Sequence, residues 1–106
     1  MPSDQSFVDF VMDQMQGAGA LAHRKMFGEY AVYCDGKVVA LVCDNRLFVK
    51  PTAGGRAYIR RPVEEPPYLG AKAYFLIEDR VENRDWLRGL VQLTARELPR
   101  PKARRK

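Results

Sequence analysis

Few residues in this chain have the types needed for covalent or acid–base chemistry, and their spacing keeps them apart. His23 is the single histidine, and Cys34 and Cys43 are the two cysteines. A Cys–His nucleophile needs the imidazole within hydrogen-bond reach of the thiol. His23 reads as lying just before a first strand, distant along it from Cys43 and farther from Cys34. A structural zinc site wants four ligands at motif spacing, and neither C-x-x-C nor H-x-x-x-H occurs. Glu64-Glu65 and Glu78-Asp79 are adjacent acids. Neighbours in extended chain point to opposite sides, so neither couple makes an acid–base pair. The expectation is no catalytic residue, no metal and no cofactor, hence not an enzyme. An enzyme with dispersed groups is kept as a third reading, because spacing alone excludes such sites poorly.

Charge suggests a different chemistry. The net charge is +5, and the tail supplies all of it: Arg100, Lys102, Arg104, Arg105 and Lys106 are basic, and no acid lies among the last seven residues. Arg56, Arg60 and Arg61 form a second basic group beside Tyr58. Arginine and tyrosine together can contact phosphate and base. Glu64 and Glu65 follow at once and offset that charge. Gly54-Gly55-Arg56 lacks the lysine and spacing of a P-loop.

The elements that must position these residues centre on 24–50, R-K-M-F-G-E-Y-A-V-Y-C-D-G-K-V-V-A-L-V-C-D-N-R-L-F-V-K. Apolar runs Met26–Cys34, Val38–Cys43 and Arg46–Lys50 are joined by Asp35-Gly36 and Asp44-Asn45. Asp-Gly between β-branched and aromatic runs is a strong hairpin signal. The pattern predicts a three-stranded antiparallel meander. With a two-residue turn at Asp35-Gly36, Cys34 faces Lys37, Val32 faces Val39 and Cys43 faces Gly28. The cysteines are then roughly 20 Å apart at the usual strand rise. A disulfide needs Cα atoms within about 7 Å, so both are expected as free thiols in a reducing compartment. The same register puts Met26, Tyr30, Val32, Val39, Leu41 and Phe48 on one face. Phe27, Glu29, Ala31, Tyr33, Val38, Ala40, Val42, Leu47 and Val49 fall on the other. Both faces are substantially apolar, so helices cover both or one meets a partner.

Before the meander, Phe7, Phe10, Val11 and Met15 recur at helical spacing, with Ser3 or Asp4 as cap and Gly17-Ala18-Gly19 as stop. After it, residues 51–71 are rich in Pro and Gly and leave room for one helical turn within Thr52–Ile59. Ala71–Glu78 reads as a further strand. Asn83 caps a last helix whose buried stripe is Trp86, Leu87, Leu90, Val91, Thr94, Ala95 and Leu98; Gly89 within it suits a close approach to the sheet, and Pro99 ends it. The expected organisation is one domain over 1–99 and a disordered basic tail over 100–106. No apolar run approaches the ~20 residues that span a bilayer. The N-terminus carries Asp4, Asp9 and Asp13 without an early Lys or Arg, unlike a secretory signal. A cytoplasmic location, with no membrane contact, is expected.

Lys25-Met26-Phe27-Gly28, Tyr30, Tyr33, Asp35-Gly36-Lys37, Leu47 and Lys50 resemble the signature of the TfoX/Sxy N-terminal domain family. Pro66-Pro67-Tyr68, Gly70-Ala71-Lys72 and Leu98-Pro99 with a basic end look like its short, single-domain members. The resemblance implies an α+β fold similar to secretion chaperones, in two layers. An antiparallel sheet, the meander plus one or two further strands, lies between an N-terminal and a C-terminal helix. It supplies no catalytic residues. Lys25, Met26, Phe27, Gly28, Tyr30, Asp35, Gly36 and Lys50 are expected to serve mainly the fold. It further implies a non-enzymatic regulatory module linked to transcription or competence, with a protein partner or a second copy on a sheet face. The second reading is a nucleic-acid-associated protein using the tail with Arg56, Arg60 and Arg61, its binding weak and non-specific.

Overall fold

Two tight turns set the sheet. Asp35 and Gly36 have φ of 54° and 81°, and Asp44 and Asn45 have 53° and 56°. Two successive positive φ values are what a type I′ turn requires, and its twist matches that of the flanking strands. Short polar Asp and Asn tolerate this region better than other side chains do. The computed structural model describes residues 4–26 and 29–99. The predicted roles of Phe27, Gly28, Ser3 and the tail 100–106 lie outside those residues.

Helix α1 (Gln5–Gln14) leads into strands β1 (Leu21–Met26), β2 (Glu29–Cys34), β3 (Lys37–Cys43) and β4 (Arg46–Val49). Helix α2 (Ala53–Ile59), strands β5 (Val63–Glu65) and β6 (Tyr74–Ile77), a 3-10 turn (Asp79–Glu82) and helix α3 (Arg84–Glu97) follow. The six strands form one antiparallel sheet in the order β1-β2-β3-β4-β6-β5. The α+β architecture with a helix at each end is the expected one; within Thr52–Ile59 the expected single turn is a seven-residue helix, α2, about two turns long, capped by the Thr52 hydroxyl accepting from the Gly55 N–H at 2.9 Å.

The sheet differs from the expected meander in three ways. The run Met26–Cys34 is not one strand. Met26 pairs with Glu29, so 21–26 folds back along 29–34 as a separate edge strand. Its sequence, L-A-H-R-K-M, carries no alternation because five of its six residues are exposed. Strand β5 is only three residues long, too short to leave a pattern. The register also slips inside the β2–β3 hairpin. Cys34 pairs with Lys37 as expected, but Val32 pairs with Ala40 and Tyr30 with Val42. Val39 is the extra residue of a bulge, which reverses the parity of everything after it. Ala40, Val42, Leu47 and Val49 therefore join Tyr30, Val32 and Val39 under the helices, while Leu41, Cys43 and Phe48 lie on the other side.

One face of the sheet is thickly covered. Val8, Val11 and Met15 of the α1 region and Leu87, Leu90, Val91 and Ala95 of α3 bury against it, joined by Phe75 and Ile77. The α1 stripe is rotated from the expected one: Val8 and Val11 are fully buried and Phe10 is 39% exposed. The α3 stripe is as expected, with the Asn83 side chain accepting from the Trp86 N–H at 3.1 Å. Gly89 does permit a close approach, but of α2 rather than of the sheet: the Tyr58 ring occupies the space where a Cβ would stand.

Polar ties fix the layers. The Gln14 amide donates to the Val81 carbonyl at 3.1 Å. Lys37 Nζ donates to the Ala95 carbonyl at 2.6 Å, in the last turn of α3, where a cation is favoured by the helix dipole. Asp35 Oδ1 accepts from the Ala20 N–H at 2.9 Å, tying the β2–β3 turn to the approach to β1.

Candidate functional site

Among the described residues no helix packs on the opposite face of the sheet. Pairing across the strands lines up Arg24, Ala31, Leu41, Phe48, Leu76 and Val63 as one lateral row. Phe48, Leu76 and Cys43 are buried there as a small second cluster, with Leu41 and Tyr74 packed on it. Their cover is thin. The Arg46 guanidinium lies 5.1 Å above the Phe48 ring and reaches Glu65 at 3.1 Å. The segment between β5 and β6 supplies Tyr68, which meets Met26, Glu29, Tyr30, Leu41 and Cys43 around a hollow of about 390 Å³. Among the described residues, Met26 at 41%, Val63 at 55% and Tyr68 at 61% are large apolar side chains exposed on this side or its rim, and Leu69, next to Tyr68, is fully exposed. Among the described residues that line the hollow Glu29 is the charged one, and its carboxylate accepts from the Asp44 N–H at 3.2 Å.

The signature residues divide between fold and face. Tyr30 is buried, its hydroxyl donating to Gln5 Oε1 at 2.9 Å. Asp35 and Gly36 make the turn already described. Met26 is exposed at the hollow, Lys25 is exposed on β1, and Lys50 is half-buried, its N–H donating to the Val39 carbonyl at 2.8 Å.

The chemistry-bearing residues stay apart. The β1–β2 hairpin brings His23 opposite Val32, nearer to Cys34 than the sequence spacing implied. Yet the His23 ring lies against Tyr30, centroids 5.8 Å apart, and the Cys34 thiol donates to the Ala18 carbonyl at 3.7 Å. Burial, then the charge of Asp35, pushes the Cys34 thiol up from its usual pKa. Burial and the carboxylate of Glu29 push Cys43 up to about 11. Both cysteines are free. Such thiols are poor nucleophiles at neutral pH, since the thiolate is the reactive form. Glu64 and Glu65 do point apart: Glu64 takes Arg56 and Glu65 takes Arg46.

The three arginines of the 51–71 segment do not act together. Arg56 is paired with Glu64 at 2.5 Å and lies over the Phe75 ring. Arg60 and Arg61 line a separate cleft at the C-terminal end of α2. That end lies beside the start of α3, where the Tyr58 hydroxyl donates to the Trp86 carbonyl at 2.9 Å. The other end of α2 meets the end of α3, where Glu97 accepts from the Gly54 N–H at 2.9 Å. Arg60 and Arg61 thus stand at the end of α2 away from the point where α3 ends. No residue spacing revealed Arg80, which joins that cleft from the 3-10 turn.

The TfoX N-terminal domain family matches this chain over residues 13–98. An uncharacterized 12.7 kDa protein in the trpE 5′ region of Spirochaeta aurantia is 43% identical over 105 residues, which span 99% of this chain and 91% of that protein.

Proposed function

The chain belongs to the TfoX N-terminal domain family, and from that premise we propose that it is a non-enzymatic regulatory module, linked to transcription, that acts by contact with a protein. The carrying observation is the helix-free sheet face. Among the described residues its apolar row is roofed by one ion pair and one loop, with Met26 and Tyr68 exposed at the hollow and Leu69 exposed next to Tyr68. Clustered exposed apolar groups with a charged rim are the usual mark of a protein contact. The protonated, buried thiols suit packing rather than covalent chemistry.

Affinity capture from the native cell, with and without nuclease, tests this reading. The expected result is a protein retained after nuclease treatment by the unaltered chain and lost by Met26→Asp combined with Leu69→Asp, whose melting temperature is unchanged. Light scattering shows whether that protein is a second copy. Retention by the double variant would sink the face as the contact. Release of everything by nuclease would favour the nucleic-acid reading, in which the basic tail is the contact.

A further inference from the structure

The cleft at the C-terminal end of α2 has the makings of a small-molecule site. It is open to solvent and offers about 580 Å³ between α2, the ends of β5 and β6, and the 3-10 turn. Small-molecule pockets span about 300–1,000 Å³, so the space is several times what one inorganic anion fills.

Its cations are uncommitted. Among the described residues Arg46, Arg56, Arg84 and Arg88 each hold a carboxylate. Arg60, Arg61 and Arg80 line the cleft and make no ion pair with another described residue. Arg80 is positioned by the indole of Trp86, its guanidinium 4.9 Å from the ring centroid. Arg60 is held in an unusual backbone state, φ 77° and ψ −56°, by its N–H donating to the Arg56 carbonyl at 2.9 Å. A non-glycine residue rarely adopts this conformation, and such strain concentrates at functional positions.

The remaining walls restrict the ligand. Val63 and Ile77 give the cleft an apolar side. Glu78 and Asp79 give it an acidic one. A bare polyanion would be repelled by those acids. A ligand with its anion at one end, a flat apolar body, and hydroxyl or amine donors at the other satisfies all three walls. Guanidinium groups bind phosphate through paired N–H donors, and carboxylates accept from hydroxyls and amines.

We infer that this cleft binds a nucleoside monophosphate. The phosphoryl group sits against Arg60, Arg61 and Arg80. The base lies on the apolar wall, and its sugar or amine donors meet Glu78 and Asp79. This site adjoins the helix-free face, sharing Val63 and Leu76 at the β5–β6 end of the row, and does not rest on the partner reading above.

Trp86 is the only tryptophan in the chain, so its fluorescence reports the cleft directly. The full-length protein is titrated with AMP and UMP, with inorganic phosphate, with adenosine, and with a single-stranded oligonucleotide. The indole is excited at the red edge of its band, clear of purine absorption. Saturable binding of a mononucleotide is expected, at least tenfold tighter than phosphate or adenosine alone and weakened by salt, since tenfold is about what one lost charged contact accounts for. Arg61→Ala should weaken it about tenfold, and Arg60→Gly should do the same while retaining the melting temperature, which separates lost contact from lost fold. Three results would overturn the inference: no saturation by either mononucleotide at about 10 mM, far above a specific Kd; phosphate alone binding as tightly; or affinity unchanged in both variants. Tighter binding of the oligonucleotide through the same arginines would replace it with a nucleic-acid surface.

Discussion

Tyr58 and Gly89 are shaped to each other: the phenol of α2 fills the space that a Cβ at position 89 of α3 would need, and from there its hydroxyl donates to the Trp86 carbonyl at 2.9 Å. A glycine inside a helix costs about 1 kcal/mol relative to alanine. Here it permits a helix–helix contact that no larger residue allows. Gly89→Ala should therefore lower stability by about 1–2 kcal/mol, the opposite sign to its helix propensity, because overpacking and a displaced, partly buried hydrogen bond outweigh the propensity gain. The Tyr58 hydroxyl is the crowded atom. In a Tyr58→Phe background the same substitution should be close to neutral. Denaturant melts of the four proteins give the coupling, and additive effects would refute the steric account.

Alkaline pH should loosen the protein through its cysteines. In the folded chain Cys43 is raised to about 11, and Cys34 is raised as well. An unfolded thiol ionises near its ordinary value, about 8.5. Between these values the unfolded chain has lost protons that the folded chain keeps, so stability falls as pH rises. Below the unfolded value the contribution is fully present. Thermal melts from neutral pH to pH 11 should show this fall, and Cys43→Ala should flatten it. Alkylation at neutral pH should be slow at both thiols in the native protein and complete, with two modifications, after unfolding without reductant.

The two sides of the sheet should respond differently to truncation. Phe48 is fully buried beneath Arg46 although no helix covers it. Phe48→Ala should cost about 3–5 kcal/mol, as in a core. Arg46→Ala should cost roughly 1 kcal/mol, since its ion pair is partly exposed and its cation–π contact is modest. Equal small losses at both positions would mean that the second cluster is not a true core.

The last helix ends before the tail begins. The Leu98 N–H donates to the Thr94 carbonyl at 3.0 Å, and Leu98 itself turns extended with ψ of 145°. Removing residues 100–106 should leave the melting temperature unchanged within about 1 °C, as only the chain end is altered. It should also remove most non-specific retention on duplex DNA. If all five basic groups engage phosphate, the slope of log K against log salt approaches about −4.5 before truncation. Equal retention of the truncated chain would move attention to Arg60 and Arg61.

What could be read from the sequence was whatever repeats. The α3 stripe shows because its seven residues recur at helical spacing; five of them are buried, and Trp86 and Leu98 are half-buried against the core. The β2–β3 turn shows because Asp-Gly has few other uses. Strand β1 hides because an edge strand has no buried face to enforce alternation. The bulge hides because Val38, Val39 and Ala40 are all apolar, so no polar residue marks where the parity changes. That one slip moved Leu41 and Phe48 away from Tyr30 and Val32 in space. The helix-free face was thus foreseeable as an apolar surface, but not its membership. The cleft was half visible: Arg60 and Arg61 drew notice as charge, whereas Arg80 and Trp86 joined them only through the 3-10 turn.

The sheet has two unpaired borders, and neither invites another strand. Along β1 the exposed side chains include Arg24 and Lys25, whose charges repel a like strand laid beside them. Along β5 the border is three residues long and carries Glu64 and Glu65. Short, charged borders are how β proteins resist runaway polymerisation. This chain can therefore leave an apolar sheet surface thinly covered without seeding fibrils, because growth along the ladder direction is blocked at both ends and only face-to-face association is left open.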